Sequence, residues 1–194
     1  GSTTQTIFKF YTNATNFIAG VISGTTLTIT IASTTSGTKL RTSTFDVSDY
    51  IGTLTKYIIF DEYASAAGQY LPLKLYAYTS SGLVEITGSE ARVGTLPRAV
   101  PPASFQQYSL YSIDSDASGG GQILADFAII TGSAFTEADR NLLANSGSTI
   151  DLTSSYWTGP DPVAWWRLGN GTSDPANYDG NDGSKDILHD YAGY

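Results

Sequence analysis

A chain of 194 residues and 20.6 kDa has room for one good-sized domain, or for one domain and an arm. It holds 22 Ser, 25 Thr and 20 Gly, and only 14% of it is charged against roughly 25% in an ordinary domain, yet 41% is hydrophobic and 12% aromatic. That composition supports a core and excludes a disordered polar chain. With no Cys there is no disulfide scaffold, and no run approaches the ~18 apolar residues of a membrane span or the basic-then-apolar pattern of a signal peptide.

The net charge of −8 is lopsided: residues 1–98 carry seven Lys/Arg against six Asp/Glu, and residues 99–194 carry three against twelve. So acidic a second half lacks the cationic footprint that a phosphate backbone requires, which argues against nucleic acid as a partner. The Gly1-Ser2 start, in a chain without Met, reads as processed or as left over from cloning.

In chain order, the first hundred residues read as strands. Thr6–Tyr11 comes first, then Thr25–Ile31, where Leu27, Ile29 and Ile31 alternate with Thr in the period of a half-buried strand. Lys39–Phe45, Leu54–Phe60 and Leu73–Tyr78 follow. The pairs Ser23-Gly24, Ser36-Gly37, Ala67-Gly68, Ser81-Gly82 and Gly88-Ser89 read as turns between them. Short strands with turns at near-regular spacing indicate an all-β sandwich or barrel.

One helix is expected, near 136–145. Thr136 suits its N-cap, Glu137 and Asp139 suit the positive end of its dipole, and Gly147 suits a left-handed stop. Phe135, Ala138, Leu142 and Leu143 form its apolar stripe. Beyond Gly147 the character changes: residues 148–194 hold all three Trp, the single His and most of the Asp/Asn/Gly clusters. The chain is therefore divided into 1–147, a sandwich, and 148–194, which forms either an extra strand and loop or a subunit-contact arm.

The order Lys56–Tyr63, Leu73–Tyr78 and Leu83–Ser89, followed later by Ala125–Ile130 and the Phe135–Leu143 helix, resembles laminin-G-like domains across roughly residues 5–147. That resemblance implies a concanavalin A-like jelly roll of two antiparallel sheets. The tail, Trp165-Trp166-Arg167-Leu168-Gly169 and then Asp186–Tyr194, is similar to a segment of bacteriophage virion proteins that carry such domains. It implies a non-enzymatic capsid-decoration or tail-associated protein on the virion surface, outside the cell. Its partners would be other virion proteins or sister subunits, with a cell-surface glycan as a further ligand.

The residues themselves offer little catalysis. Cys–His chemistry is impossible, a Ser–His–Asp site would rest on His189 alone, and no Gly-x-Ser-x-Gly elbow is present. Glycoside hydrolysis needs two carboxylates about the scissile bond. Glu62, Glu85, Glu90 and Glu137 lack the close spacing of the jelly-roll glucanases, and Asp114-Ser115-Asp116 runs into Ser118-Gly119-Gly120-Gly121 as a turn would. Asp179, Asn181, Asp182, Asp186 and Asp190 are hard oxygen ligands in a Gly-rich stretch, suited either to an irregular Ca²⁺ site or simply to a solvated acidic loop. Gly183 and Ser184 break the EF-hand pattern. For a lectin-like module the candidate glycan platforms are Trp157, Trp165 and Trp166, with core or subunit packing as the other reading of each.

Overall fold

A computed structural model describes residues 4–33, 39–53, 55–61, 63–64, 69–93, 107–113, 127–130, 136–147, 150–152, 154–159 and 162–166. By contact density the chain falls into two compact units, Gly1–Gly120 and Gly121–Tyr194. The helix near 136–145 falls within the second of these units. No described helix is long and apolar enough to cross a membrane.

Unit 1 is all β. Its larger sheet is built from β1 (Thr4–Asn13), β2 (Asn16–Ser23), β3 (Thr26–Ser33), β4 (Lys39–Asp46), β10 (Gly88–Val93) and β11 (Gln107–Ile113), in the order β10-β4-β3-β2-β1-β11. Every pairing in it is antiparallel. A smaller antiparallel sheet has the order β5 (Tyr57–Phe60), β8 (Lys74–Thr79), β9 (Gly82–Ile86). Between β5 and β8 lies the short pair β6 (Tyr63–Ala64) and β7 (Gln69–Tyr70).

The alternation read in Leu27, Ile29 and Ile31 is the inner face of β3: all three are buried, while Thr28 and Thr30 between them are half-buried. Register extends that face across the sheet. Leu27, Ile29 and Ile31 lie opposite Ile22, Gly20 and Ile18 on β2, and opposite Phe45, Ser43 and Arg41 on β4. Phe8 and Phe10 continue it on β1, and Gly88, Glu90 and Arg92 on β10. Buried Leu, Ile and Phe side chains each contribute about 1.5–3 kcal/mol, so the β1–β3 end is mainly hydrophobic, with Gln5 and Ser33 as buried polar side chains. Toward β10 the same face becomes polar.

β2 is absent from the sequence reading. Phe17-Ile18-Ala19-Gly20-Val21-Ile22 is apolar at nearly every position, so it has no period-two signal, and its glycine argues against a strand. Gly20 is there for space. It pairs with Phe8, whose ring occupies the position a Cβ on residue 20 would take. Gly88 plays the same part for the ring of Phe45, its partner in register. The expected turn at Gly88-Ser89 is thus corrected: these residues open β10, and the chain leaves the small sheet for the large one at Thr87.

Hairpins are closed by local polar contacts. The Asn13 Oδ1 accepts from the Thr15 N–H, the Thr15 hydroxyl and the Asn16 amide across the β1–β2 turn. Positive φ at Gly24 and Gly82 serves the β2–β3 and β8–β9 turns. After β4, a short 3₁₀ turn (Ser48–Tyr50) brings Tyr50 edge-on to Tyr57, 6.2 Å between ring centres. Burial, and then the Tyr50 phenol, push the Tyr57 hydroxyl up to about 12.

Unit 2 contains β12 (Phe127–Ile130), the helix α1 (Glu137–Ala144) and β13 (Pro162–Trp166), with β12 and β13 antiparallel. Thr136 caps α1 as its sequence suggests: its hydroxyl accepts from the Asp139 N–H, and the Asp139 carboxylate accepts from the Thr136 N–H in return. The Thr136 hydroxyl, and then the Thr136 N–H, donate to the Asp139 carboxylate and hold that carboxyl below its ordinary range. The left-handed residues that end the helix are Asn145 (φ 42°) and Ser146 (φ 52°), a correction to the stop expected at Gly147. Asn tolerates this conformation better than other side-chain-bearing residues, so the helix ends without waiting for the glycine.

Candidate functional site

The polar end of the inner face in unit 1 gathers the described charged side chains that are most withdrawn from water. Arg41, on β4, is fully buried, and its Nη2 lies 2.5 Å from the Asp61 carboxylate, which follows β5. Its Nη1 donates to the carbonyl of Leu71 at 3.2 Å. One guanidinium therefore ties the large sheet to both flanks of the small one.

Two residues further along β4, the Ser43 hydroxyl donates to Glu90 Oε2 at 3.2 Å, and the Leu73 N–H donates to the same oxygen at 3.2 Å. The other oxygen, Glu90 Oε1, is held by Arg92 Nε on the same strand. Both oxygens of this largely buried carboxylate are thus engaged by donors from β4, β10 and the approach to β8. In register Arg41 sits opposite Arg92, a like-charge pair that would be unfavourable alone. Asp61 and Glu90 compensate it, leaving two cations and two anions.

A partly open cavity of about 300 Å³ lies beside this group. Ser43, Phe45, Leu73, Gly88, Glu90 and Arg92 contribute to its wall. The group is built to hold: a buried charge left unpaired costs several kcal/mol, and here each is met by an opposite charge or by backbone. A general acid or base needs a proton-accepting position turned toward a substrate. Glu90 turns its two oxygens toward its own chain.

Sequence reading passed over Arg41, Ser43, Asp61 and Arg92, and weighed Glu90 only for glucanase spacing. The signal was parity. Arg41, Ser43 and Phe45 share one face of β4, and Gly88, Glu90 and Arg92 share one face of β10. Once Phe45 is placed inside, Arg41 and the Glu90 carboxylate on the same parity are inside too, with Arg92 at the rim.

Among the proposed glycan platforms, Trp157 is only 8% exposed and packs with buried Leu152, against Ile130, Leu142, Leu143 and Ile150. A Cβ at Gly159 would overlap its indole, so that glycine keeps room for the ring. Trp157 is core. The aromatic that this turn offers to solvent is its neighbour Tyr156, 81% exposed, which the sequence reading did not single out. Trp165 and Trp166 stand on β13 opposite Ala128 and Phe127, and their side chains lie outside the described residues.

Asp179, Asn181, Asp182, Asp186 and Asp190, as well as Asp114, Asp116 and His189, also lie outside the described residues. Among the described residues no three His, Cys, Asp or Glu side chains come together as a metal cluster. No family model, curated protein or solved structure matches the chain.

Proposed function

We propose that the chain is a non-enzymatic structural and binding module. On this reading it is a laminin-G-like sandwich with concanavalin A-like jelly-roll connectivity, on the exterior of a bacteriophage virion as a decoration or tail-associated protein. It acts through contacts with other virion proteins or sister subunits. One observation carries the reading: among the described residues, the buried charges of unit 1, Arg41, Asp61 and Glu90, join its two sheets and are met within the chain. On this reading function falls to the outside of the molecule, its strand edges and its acidic unit 2, where three Lys/Arg stand against ten Asp/Glu.

The test is recovery. Particles released by the source cells and banded on a density gradient are expected to contain the chain by mass spectrometry, and finding it solely in the free soluble fractions would overturn the virion placement. In parallel, purified chain is expected to release no sugar from a polysaccharide panel. Turnover would return the carboxylates to catalysis.

A lectin-like role is the second reading, favoured by the solvent-facing ring of Tyr156. Exposed aromatic faces stack on sugar rings with little ordering cost. Glycan-array binding that disappears in Tyr156→Ala would establish it, and binding unchanged by that substitution would remove Tyr156 from the site.

A further inference from the structure

Among the described residues, Gly82–Val93 is bordered by a strand on one side only along its two strands. β9 pairs with β8 alone, and β10 with β4 alone. Because the chain changes sheets at Thr87, this single stretch is the terminal strand of both sheets. Half of its backbone N–H and C=O groups point away from the neighbour it has. Natural edges are usually blunted by Pro, Lys, a bulge or inward-pointing charges, and the inner-face charges of β10, Glu90 and Arg92, neutralise each other. Gly82–Val93 contains neither Pro nor Lys, and β10 runs beside β4 with unbroken register. Val84 and Val93, the latter 58% exposed, are two of the four large apolar side chains that stand out in solvent among the described residues.

The sequence of β10 is its own complement. Set two copies of Ser89-Glu90-Ala91-Arg92-Val93 antiparallel with Ala91 opposite Ala91. Glu90 of each copy then faces Arg92 of the other, and Ser89 faces Val93. A slip to Glu90 opposite Glu90, or to Arg92 opposite Arg92, sets like charges together, so charge disfavours the two neighbouring registers. The Glu90–Arg92 contact within each strand becomes one side of a square of alternating charge. A two-fold axis makes such a contact self-limiting, because both edges are consumed in one dimer.

We propose that Gly82–Val93 is a homotypic docking edge, at which a second copy of this chain adds antiparallel to β10 about a two-fold axis through Ala91. This deepens the contact-module reading, on which it rests, by naming one partner as a sister subunit.

The chain has no Cys, so Ala91→Cys introduces a single thiol at the axis. Directly opposed residues on antiparallel strands have Cα atoms about 4.5–5.5 Å apart, within disulfide reach. Oxidation of this variant is expected to convert most of the chain to a covalent dimer. Ser81→Cys, in the β8–β9 turn, should give little. The unmodified chain should show a light-scattering mass that falls from twice 20.6 kDa toward 20.6 kDa on dilution. Ala91→Lys, which sets two ammonium groups face to face, should read 20.6 kDa throughout with an unchanged far-ultraviolet spectrum. A monomeric unmodified chain would overturn the proposal, and so would a dimer that survives Ala91→Lys while the Ala91→Cys variant stays unlinked on oxidation. Co-purification with particles is a separate readout, so the dimer and the virion placement can fail independently.

Discussion

The buried face of unit 1 and the buried centre of unit 2 are made of different materials. In unit 1 the face runs from Phe8 and Phe10, through Leu27, Ile29 and Ile31, to Arg41, Ser43 and Phe45, passing from hydrocarbon to charge within one sheet. In unit 2 the described buried residues centre on one indole, Trp157, with Leu152 and the helix residues Leu142 and Leu143 against it. Both rely on the same local device, an aromatic ring laid over a glycine: Phe8 on Gly20, Phe45 on Gly88, Trp157 on Gly159. The difference shows what each core can lose. A distributed core ends in an ion-paired clamp that loses most when it is half broken. A core around one ring fails with that ring.

The largest effect is expected at the clamp. Arg41→Ala leaves Asp61 without its guanidinium and should destabilise the chain by about 3–5 kcal/mol, read by denaturant unfolding followed in the far ultraviolet. Replacing both partners together, Arg41→Met with Asp61→Leu, should return stability to near the starting value, because a well-packed apolar pair avoids the desolvation cost. In unit 2, Trp157→Ala should cost a comparable ~3–5 kcal/mol through the cavity it opens. All three Trp lie in residues 121–194, so indole fluorescence follows unit 2 while the far-ultraviolet signal is dominated by the sheets of unit 1. The comparison breaks if Trp157→Ala shifts the fluorescence transition no more than a surface substitution does.

A smaller effect is expected where ring and glycine meet. Gly20→Val places a side chain inside the volume of the Phe8 ring and should cost about 1–3 kcal/mol by overpacking. Adding Phe8→Ala should recover part of the loss. The smallest is a pH effect at Tyr57. Its folded-state value of about 12 lies above the ordinary 10.0, so the folded chain binds this proton more tightly than the unfolded chain does. The stability this contributes is complete below pH 10, and it is lost as pH rises from 10 toward 12. Phenolate absorbance during base titration checks it: a late-ionising tyrosine should be present, and Tyr57→Phe should abolish it.

Much of the fold was legible in the sequence, for a physical reason. Where Thr alternates with Leu or Ile, as in β3, one face is wet and the other dry, and period two survives. The helix was legible because its start is written in short-range contacts, the Thr136–Asp139 box. β2 was not, because a strand apolar at nearly every position has no alternation to read. Gly88-Ser89 looked like a turn because its glycine serves a ring on another strand, a contact that is remote in sequence. The candidate site was harder still. Arg41, Ser43 and Glu90 are residue types that normally mark the solvent side, and only the positions of Phe45 and Gly88 show that their parity faces inward. Trp157 was recognised as important, but whether an indole is platform or core depends on Leu152 and on helix residues before it in the chain.

The central claim is that the inner carboxylates hold the two sheets of unit 1 together, and a double-mutant cycle on Arg41 and Asp61 tests it most directly. Stabilities of the unmodified chain, Arg41→Ala, Asp61→Ala and the double variant give the coupling between the two side chains. The account predicts strong coupling, about 2–3 kcal/mol, with the double variant far less destabilised than the single losses together imply. Losses that add to within about 0.5 kcal/mol would contradict it, because Asp61 would then be held by something other than the clamp.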